Sequence, residues 1–210
     1  MRIKEYDIDL DNADIDNIAA SQSPAGTALN LNGAVGTGNL DYARALSVTS
    51  GGDDTGITFD VVGVDANGDS QTESITGANA DVALGTKYFK SVTSITPSDS
   101  VATTVTVGTG NVTRIMATQT IPLEPYDEIA TVASVDVTGT ISYTIQETFD
   151  NVLELTEADI LWVAVSAHTT KTADTTAAVS RGARAIRLIV NSYTDTAELQ
   201  MTVIPTHHGH

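Results

Sequence analysis

The chain has 210 residues, 41% of them hydrophobic, no cysteine, and a formal net charge of −17 at pH 7. This charge argues against nucleic acid as a partner, because binding to phosphates requires Lys and Arg side chains. The lack of cysteine excludes disulfides, Cys-ligated zinc and thiol catalysis. The longest apolar run, residues 160–165, is too short to cross a membrane, and the acidic first residues predict no signal peptide.

The composition predicts an all-β fold. Thr occurs 32 times, and this polar, β-branched residue suits strands that have one solvent-exposed face. Gly occurs 16 times against 5 Pro, which fits a chain with many turns. We expect two small antiparallel β-sandwich modules, preceded by an extended N-terminal arm.

Residues 1–40 are predicted to form this arm, with one strand near residues 3–8. They mix carboxylates with apolar side chains and then become rich in Gly, Asn and Ser. One interpretation is a frayed terminus. The other is an arm that adds a strand to a neighbouring sheet. In that case we expect it to dock on a partner through Ile3, Tyr6, Ile8 and Leu10.

Residues 41–113 are predicted to form the first module, because turn signals separate short alternating segments. Strands are expected at 44–49, 57–64, 71–76, 88–95 and 101–107. Asn67-Gly68 predicts a type I′ hairpin turn, and a bulge at Gly63 is then needed to place Phe59 opposite Ile75. The expected core anchors of this module are Phe59, Ile75, Tyr88 and Phe89.

A linker over residues 114–125, restricted by two prolines, is predicted to lead into the second module at 126–205. Strands of this module are expected at 129–137, 140–148, 161–167, 185–191 and 198–204, with a helical turn within 152–159. Its expected core anchors are Phe149 and Trp162. Residues 206–210 are expected to form a tail.

Charge is distributed unevenly along the second module. Between Arg114 and Lys171 there are nine acidic residues and neither Lys nor Arg. Four cations then follow within 17 residues. One interpretation is surface charge that balances nearby carboxylates, and the other is a site that docks an acidic partner surface. The candidate docking residues are Lys171, Arg181, Arg184 and Arg187.

No motif in the chain specifies catalysis or a cofactor. Residues 7–18 begin with the D-x-D-x-D pattern of a calcium loop, but Asn12 stands where an EF-hand needs Gly and Ile18 where it needs Glu. His168 has no G-x-S-x-G nucleophile to serve. We therefore predict no enzyme, no cofactor and no metal site. Two metal hypotheses stay open: an irregular calcium site in the segment of residues 7–18, and an ion shared on a symmetry axis by the tail residues His207, His208 and His210.

Two pieces of the sequence have a distinctive pattern of strands and turns. The first lies in residues 44–110 and includes VTSGGDDTGITFDVVGVDANGDSQTESITG, TKYFKSVTSI and TVTVGTG. The second lies in residues 136–204 and includes VTGTISYTIQETFD, Trp162 and ARAIRLIVNSYTDTAELQMTVI. Together they cover roughly two-thirds of the chain. Both pieces resemble β-modules found in uncharacterised virion proteins of tailed bacteriophages. The resemblance implies a virion protein built from β-modules, and it brings no catalytic residues.

These observations predict a non-enzymatic virion structural protein, specifically a capsid decoration (cement) protein that binds the outer shell and bridges capsomers. The expected partners are the major capsid protein and copies of the chain itself, as a homotrimer. The expected location is the virion, assembled in the host cytoplasm. Two alternatives remain. One is a tail or head–tail connector subunit (tube, adaptor or fibre base). The other is a receptor- or glycan-binding module, which an aromatic content of 5% does not favour.

Overall fold

The computed structural model describes residues 3–110, 115–123, 131–194 and 196–205. The prediction of an all-β fold is confirmed: 51% of the chain is strand, the sheets are antiparallel, and no described helix reaches seven residues. No helix in these ranges is long and apolar enough to span a bilayer. The strands, numbered in chain order, are β1 (Lys4–Asp9), β2 (Ala19–Gln22), β3 (Asn39–Arg44), β4 (Ser47–Ser50), β5 (Thr58–Val64), β6 (Ser70–Thr76), β7 (Val82–Leu84), β8 (Phe89–Pro97), β9 (Val105–Gly108), β10 (Ile115–Met116), β11 (Ile121–Pro122), β12 (Thr131–Thr138), β13 (Ile141–Thr148), β14 (Val163–Ala164), β15 (Thr175–Ala178), β16 (Ala185–Tyr193) and β17 (Glu198–Pro205).

The chain divides into two compact units whose boundaries differ from the predicted ones. Residues 11–115 form one unit, called the central unit below. Residues 1–10 and 116–210 form the other, called the terminal unit. The first forty residues are therefore not an arm but contribute strands to both units. β1 pairs with β17 of its own chain, and β2 pairs with β9.

The central unit is a sandwich of two antiparallel sheets. One sheet has the order β3-β8-β5-β6 and the other β2-β9-β4-β7. Alternate residues of β5 are buried, which is the pattern of a strand with one face on a core. The shared core includes Phe59, Ile75 and Phe89 from the first sheet and Val48 and Val107 from the second. Tyr88, also expected as an anchor, is only half-buried.

The β5–β6 hairpin pairs Phe59 with Ile75, but by a different route from the predicted one. Its ladder is regular throughout, without a bulge at Gly63. The additional residue that this register requires lies in the turn, where the Asp65 amide donates a hydrogen bond to the Asp69 carbonyl. Only Gly68 in the turn has a positive φ, of 92°, so the loop has three residues and is not a type I′ turn. The buried Asp65 carboxylate accepts hydrogen bonds from the backbone amides of Asn67 and Asp69 in the turn.

The bulge expected at Gly63 belongs to a different strand pair. The register between β5 and β8 shifts at Val62 and Gly63, whose partners are Ser94 and Val92. The additional residue is therefore Thr93, on β8. β8 passes close to the Cα of Gly63, since a Cβ placed there would be 2.2 Å from the Ser91 carbonyl oxygen.

The terminal unit also has two antiparallel sheets. One has the order β1-β17-β12-β15, and the other contains β14-β13-β16, with β11 also paired to β16. Residues 115–123, predicted as part of a linker, thus contain strands: Ile121 pairs with Ile186. Two short 3-10 helices, Glu157–Asp159 and Ser166–His168, lie between β13 and β15.

The aromatic core of the terminal unit differs from the predicted one. Phe149 is 52% exposed, so its prediction as a core anchor is wrong. It comes directly after β13 ends, where the chain leaves the sheet. Trp162 is half-buried. Among the described residues of the terminal unit, the fully buried aromatic side chain is Tyr143, whose hydroxyl donates to the Ala173 carbonyl.

Candidate functional site

Large apolar side chains remain exposed in one segment of the terminal unit, residues 149–163, called the apolar loop below. Of the nine large hydrophobic side chains that are exposed in the described ranges, five lie in this loop. Contiguous exposed apolar surface is typical of interaction sites on soluble proteins. The five residues are Phe149 (52% exposed), Leu153 (84%), Leu155 (41%), Leu161 (70%) and Val163 (45%).

The apolar loop is closed at its base. It leaves the sheet after β13 and returns in β14, where Val163 pairs with Glu147. The Leu161 amide donates to the Asp150 carboxylate over 2.7 Å and ties the two ends together. Within the loop, the amides of Glu154 and Leu155 both donate to the Asn151 carbonyl. The loop is therefore a compact surface loop with neighbouring ends, a type that often carries function.

Arg187 holds the apolar loop onto the sheet. Its guanidinium pairs with the Glu157 carboxylate and lies 4.1 Å from the centroid of the Trp162 ring. Its Nε donates to the Gln146 side chain over 2.8 Å, and the indole N–H of Trp162 donates to Glu157 over 3.1 Å. Arg187 is only 7% exposed, so its prediction as a docking residue is wrong and its role is to position the loop.

The other three cations of the predicted cluster are accessible. Arg181 is exposed, and Lys171 and Arg184 are partly exposed. The Arg184 amide donates to the Thr148 carbonyl over 2.7 Å, which places Arg184 beside the first residue of the apolar loop. Lys171 instead pairs through its backbone with Tyr143, further along β13. Besides the buried Arg187, Arg184 is thus the member of the cluster that the structure places beside the apolar loop, and Arg181 is exposed in the turn that precedes Arg184.

The residues predicted for arm docking are mostly unavailable to a partner. Ile8 and Leu10 are buried, at 2% and 4% exposure, so their prediction as docking residues is wrong. Tyr6 is partly buried, and this burial raises the pKa of its hydroxyl. Ile3 is 61% exposed. Ile8 is buried because β1 pairs with β17, which turns alternate side chains of β1 inward.

The outer face of the β1-β17-β12 strands is acidic. It forms a shallow groove of about 310 Å³, lined by two rows of side chains that oppose one another across the strands. Gln200 donates to the Asp7 carboxylate over 2.7 Å. No group of three or more His, Cys, Asp or Glu residues in the described ranges is arranged to hold a metal ion. The groove's carboxylates are Asp7, Asp9, Asp136 and Glu198.

His168 is the one internal histidine, and its surroundings are those of a core residue. It is fully buried. Burial lowers the pKa of the imidazole, and the charge of Lys171 lowers it further. Its Nε2 lies 3.5 Å from the Ala177 carbonyl oxygen. The tail histidines, His207, His208 and His210, lie outside the described residues.

The sequence interpretation missed the apolar loop because it assigned Phe149 and Trp162 to a core. The available signal was the pattern of residues 149–163, in which apolar and acidic side chains alternate without the period of a strand or a helix. Comparisons of the chain with protein-family models, with curated proteins and with solved structures give no match.

Proposed function

We propose that the protein is a non-enzymatic structural component of a bacteriophage virion. In this proposal it decorates the outside of the capsid shell, contacts the major capsid protein and bridges neighbouring capsomers. Such a protein acts by adding interface, and many weak contacts made together stabilise a shell by mass action.

The observation that carries the proposal is the apolar loop. A chain with a net charge of −17 keeps five large apolar side chains exposed in one 15-residue segment. Burial of a large apolar side chain against another protein of the assembled particle, a neighbouring copy of this chain included, contributes about 1.5–3 kcal/mol. Keeping the segment ordered in advance lowers the entropic cost of that contact. The resemblance of residues 44–110 and 136–204 to modules of virion proteins supplies the expected setting.

The proposal is tested by comparing purified shells that carry and lack the protein. Shells prepared without it should melt at a lower temperature in differential scanning calorimetry, and adding the purified full chain should restore the higher value. Equal melting temperatures with the protein bound would contradict a cementing role.

The position of the protein in the particle separates the leading function from its alternative. Electron microscopy of virions labelled with antibody against the chain should show label over the head surface. Label confined to the tail or the head–tail junction would support a tail or connector subunit instead. Purified virions that lack the chain would overturn both.

A further inference from the structure

The apolar loop carries negatively charged side chains and lies next to positively charged ones. Its exposed acidic side chains include Glu154 and Asp159. Beside its base, Ser180 donates to Glu147 through its amide (2.9 Å) and its hydroxyl (2.6 Å). These bonds hold the turn that follows, with its arginines, against the end of β13.

The register of β13 and β16 places one of these arginines next to Phe149. Thr148 is paired with Ala185, and its carbonyl accepts a hydrogen bond from the Arg184 amide, so the backbone of Arg184 adjoins the end of β13 directly before Phe149. Arg181 lies in the adjoining turn and is exposed. Within the described part of the chain, neither Arg181 nor Arg184 forms an ion pair or a side-chain hydrogen bond. One surface of the terminal unit therefore combines apolar groups, carboxylates and two guanidinium groups.

We infer that this surface, formed by the apolar loop with Arg181 and Arg184, is the interface between copies of the chain. In a symmetric oligomer, the arginines of one copy face the carboxylates of the next copy. The exposed leucines and Phe149 are then buried between the two copies. A partner with a uniformly basic rim would attract the loop but would be repelled by the two arginines. A second copy offers the same mixture of charges in the reverse direction.

The net charge of the chain favours this location for self-association. Two molecules of charge −17 repel one another over most of their surface. The approach of two copies is least unfavourable where each contributes exposed cations to the contact. Arg187 keeps the apolar loop in place, so the loop need not order when the copies meet. The inference deepens the proposed function, on which it rests for its biological purpose.

The test is sedimentation velocity of the full chain over protein concentrations from about 1 μM to about 1 mM. The wild-type chain should associate into a closed oligomer. The double variant L153D/L161D should associate at least about tenfold more weakly, because it places carboxylates at the centre of an apolar contact. The variant R181E/R184E should show a similar loss, because it removes the opposite charges.

A matched control comes from the central unit. Ile15 and Leu84 are exposed to 50% and 53%, and I15D/L84D adds the same charge as L153D/L161D. This control should associate like the wild type. Far-UV circular dichroism should be unchanged in the monomers of every variant and thereby show that they are folded.

Three results would overturn the inference. The first is a wild-type chain that stays monomeric over the whole concentration range. The second is an oligomer that L153D/L161D and R181E/R184E leave intact. The third is an oligomer that I15D/L84D dissociates to the same extent. None of these results bears on whether the chain stabilises a shell, so the inference and the proposed function can fail separately.

Discussion

The guanidinium carbon of Arg187 lies 4.1 Å from the centroid of the Trp162 ring. This contact joins the first part of β16 to the last residues of the apolar loop. Because Glu157 also binds both side chains, the three residues form one cluster of charge, hydrogen bond and aromatic stacking. The cluster explains how a segment with exposed leucines keeps a defined shape.

Replacing Arg187 with Met should destabilise the terminal unit. Met keeps much of the side-chain length but removes the charge, so the Glu157 carboxylate loses its cation and Trp162 its stacking partner. Breaking a buried ion pair of this kind costs about 3–5 kcal/mol. Urea unfolding followed by Trp162 fluorescence measures the loss. Arg181→Met is the control, and its expected change is below about 0.5 kcal/mol because Arg181 is exposed. Equal effects of the two substitutions would contradict the role assigned to Arg187.

The same four cations show what the sequence can and cannot predict. Their clustering is visible in the sequence, but Arg181 is exposed and Arg187 is buried. The difference depends on Glu157 and Trp162, which are 30 and 25 residues away in the chain. Strand positions depend mainly on local alternation, and for this reason the all-β class was predictable while the burial of each arginine was not.

The β5–β6 hairpin shows the same limit at smaller scale. Alternation of apolar residues is enough to place Phe59 opposite Ile75. It does not tell whether the extra residue lies in the turn or in the strand, because both choices give the same pairing beyond it. The structure places it in the turn, where Asp65 accepts two backbone amides. Asn67-Gly68 alone could not reveal this contribution of Asp65.

Arg44 should stabilise the central unit through a buried ion pair, as Arg187 is expected to do in the terminal unit. It is 1% exposed, pairs with Asp41, and donates to the Asp11 carbonyl over 2.8 Å. Arg44→Met should lower the free energy of unfolding by about 3–5 kcal/mol, because it leaves the Asp41 carboxylate without its cation. Urea unfolding followed by far-UV circular dichroism measures the change.

A double-mutant cycle separates the ion pair from the packing of Arg44. Asp41→Asn in the Arg44→Met background should recover part of the stability, since a neutral amide is cheaper to leave unpaired than a carboxylate. A double variant as unstable as the sum of the single variants would show that the pair itself contributes nothing.

Gly63→Ala should destabilise the central unit by steric overlap. The added methyl group would lie 2.2 Å from the Ser91 carbonyl oxygen and 2.9 Å from a ring carbon of Phe89. Overpacking of this kind costs about 1–3 kcal/mol. Gly56→Ala is the control, because no atom lies within 4 Å of the methyl position there. Hydrogen exchange of the β5 amides should be faster in Gly63→Ala and unchanged in Gly56→Ala; equal protection in both variants would contradict the close approach of β5 and β8.

His168 should make the terminal unit less stable as the pH falls below neutrality. Burial lowers the pKa of the folded imidazole, and Lys171 lowers it further, while the carbonyls of Ala177 and Ala133 partly oppose this. As the pH falls, His168 is therefore protonated first in the unfolded chain, near the ordinary histidine pKa of about 6.5. The stabilising contribution is complete above that pH and is lost as the pH falls towards the folded pKa, by at most about 1.4 kcal/mol per pH unit for one proton.

His168→Gln isolates this contribution, because Gln does not titrate and its amide can still donate to the Ala177 carbonyl. The free energy of unfolding is measured with Trp162 fluorescence between about pH 7.5 and 5.5, above the range where most carboxylates titrate. The tail histidines are present in both proteins, so their effect cancels in the difference. The wild-type curve should fall more steeply than the variant curve over this range. Parallel curves would mean that the folded imidazole titrates as it does in the unfolded chain, which its complete burial among the terminal-unit strands argues against.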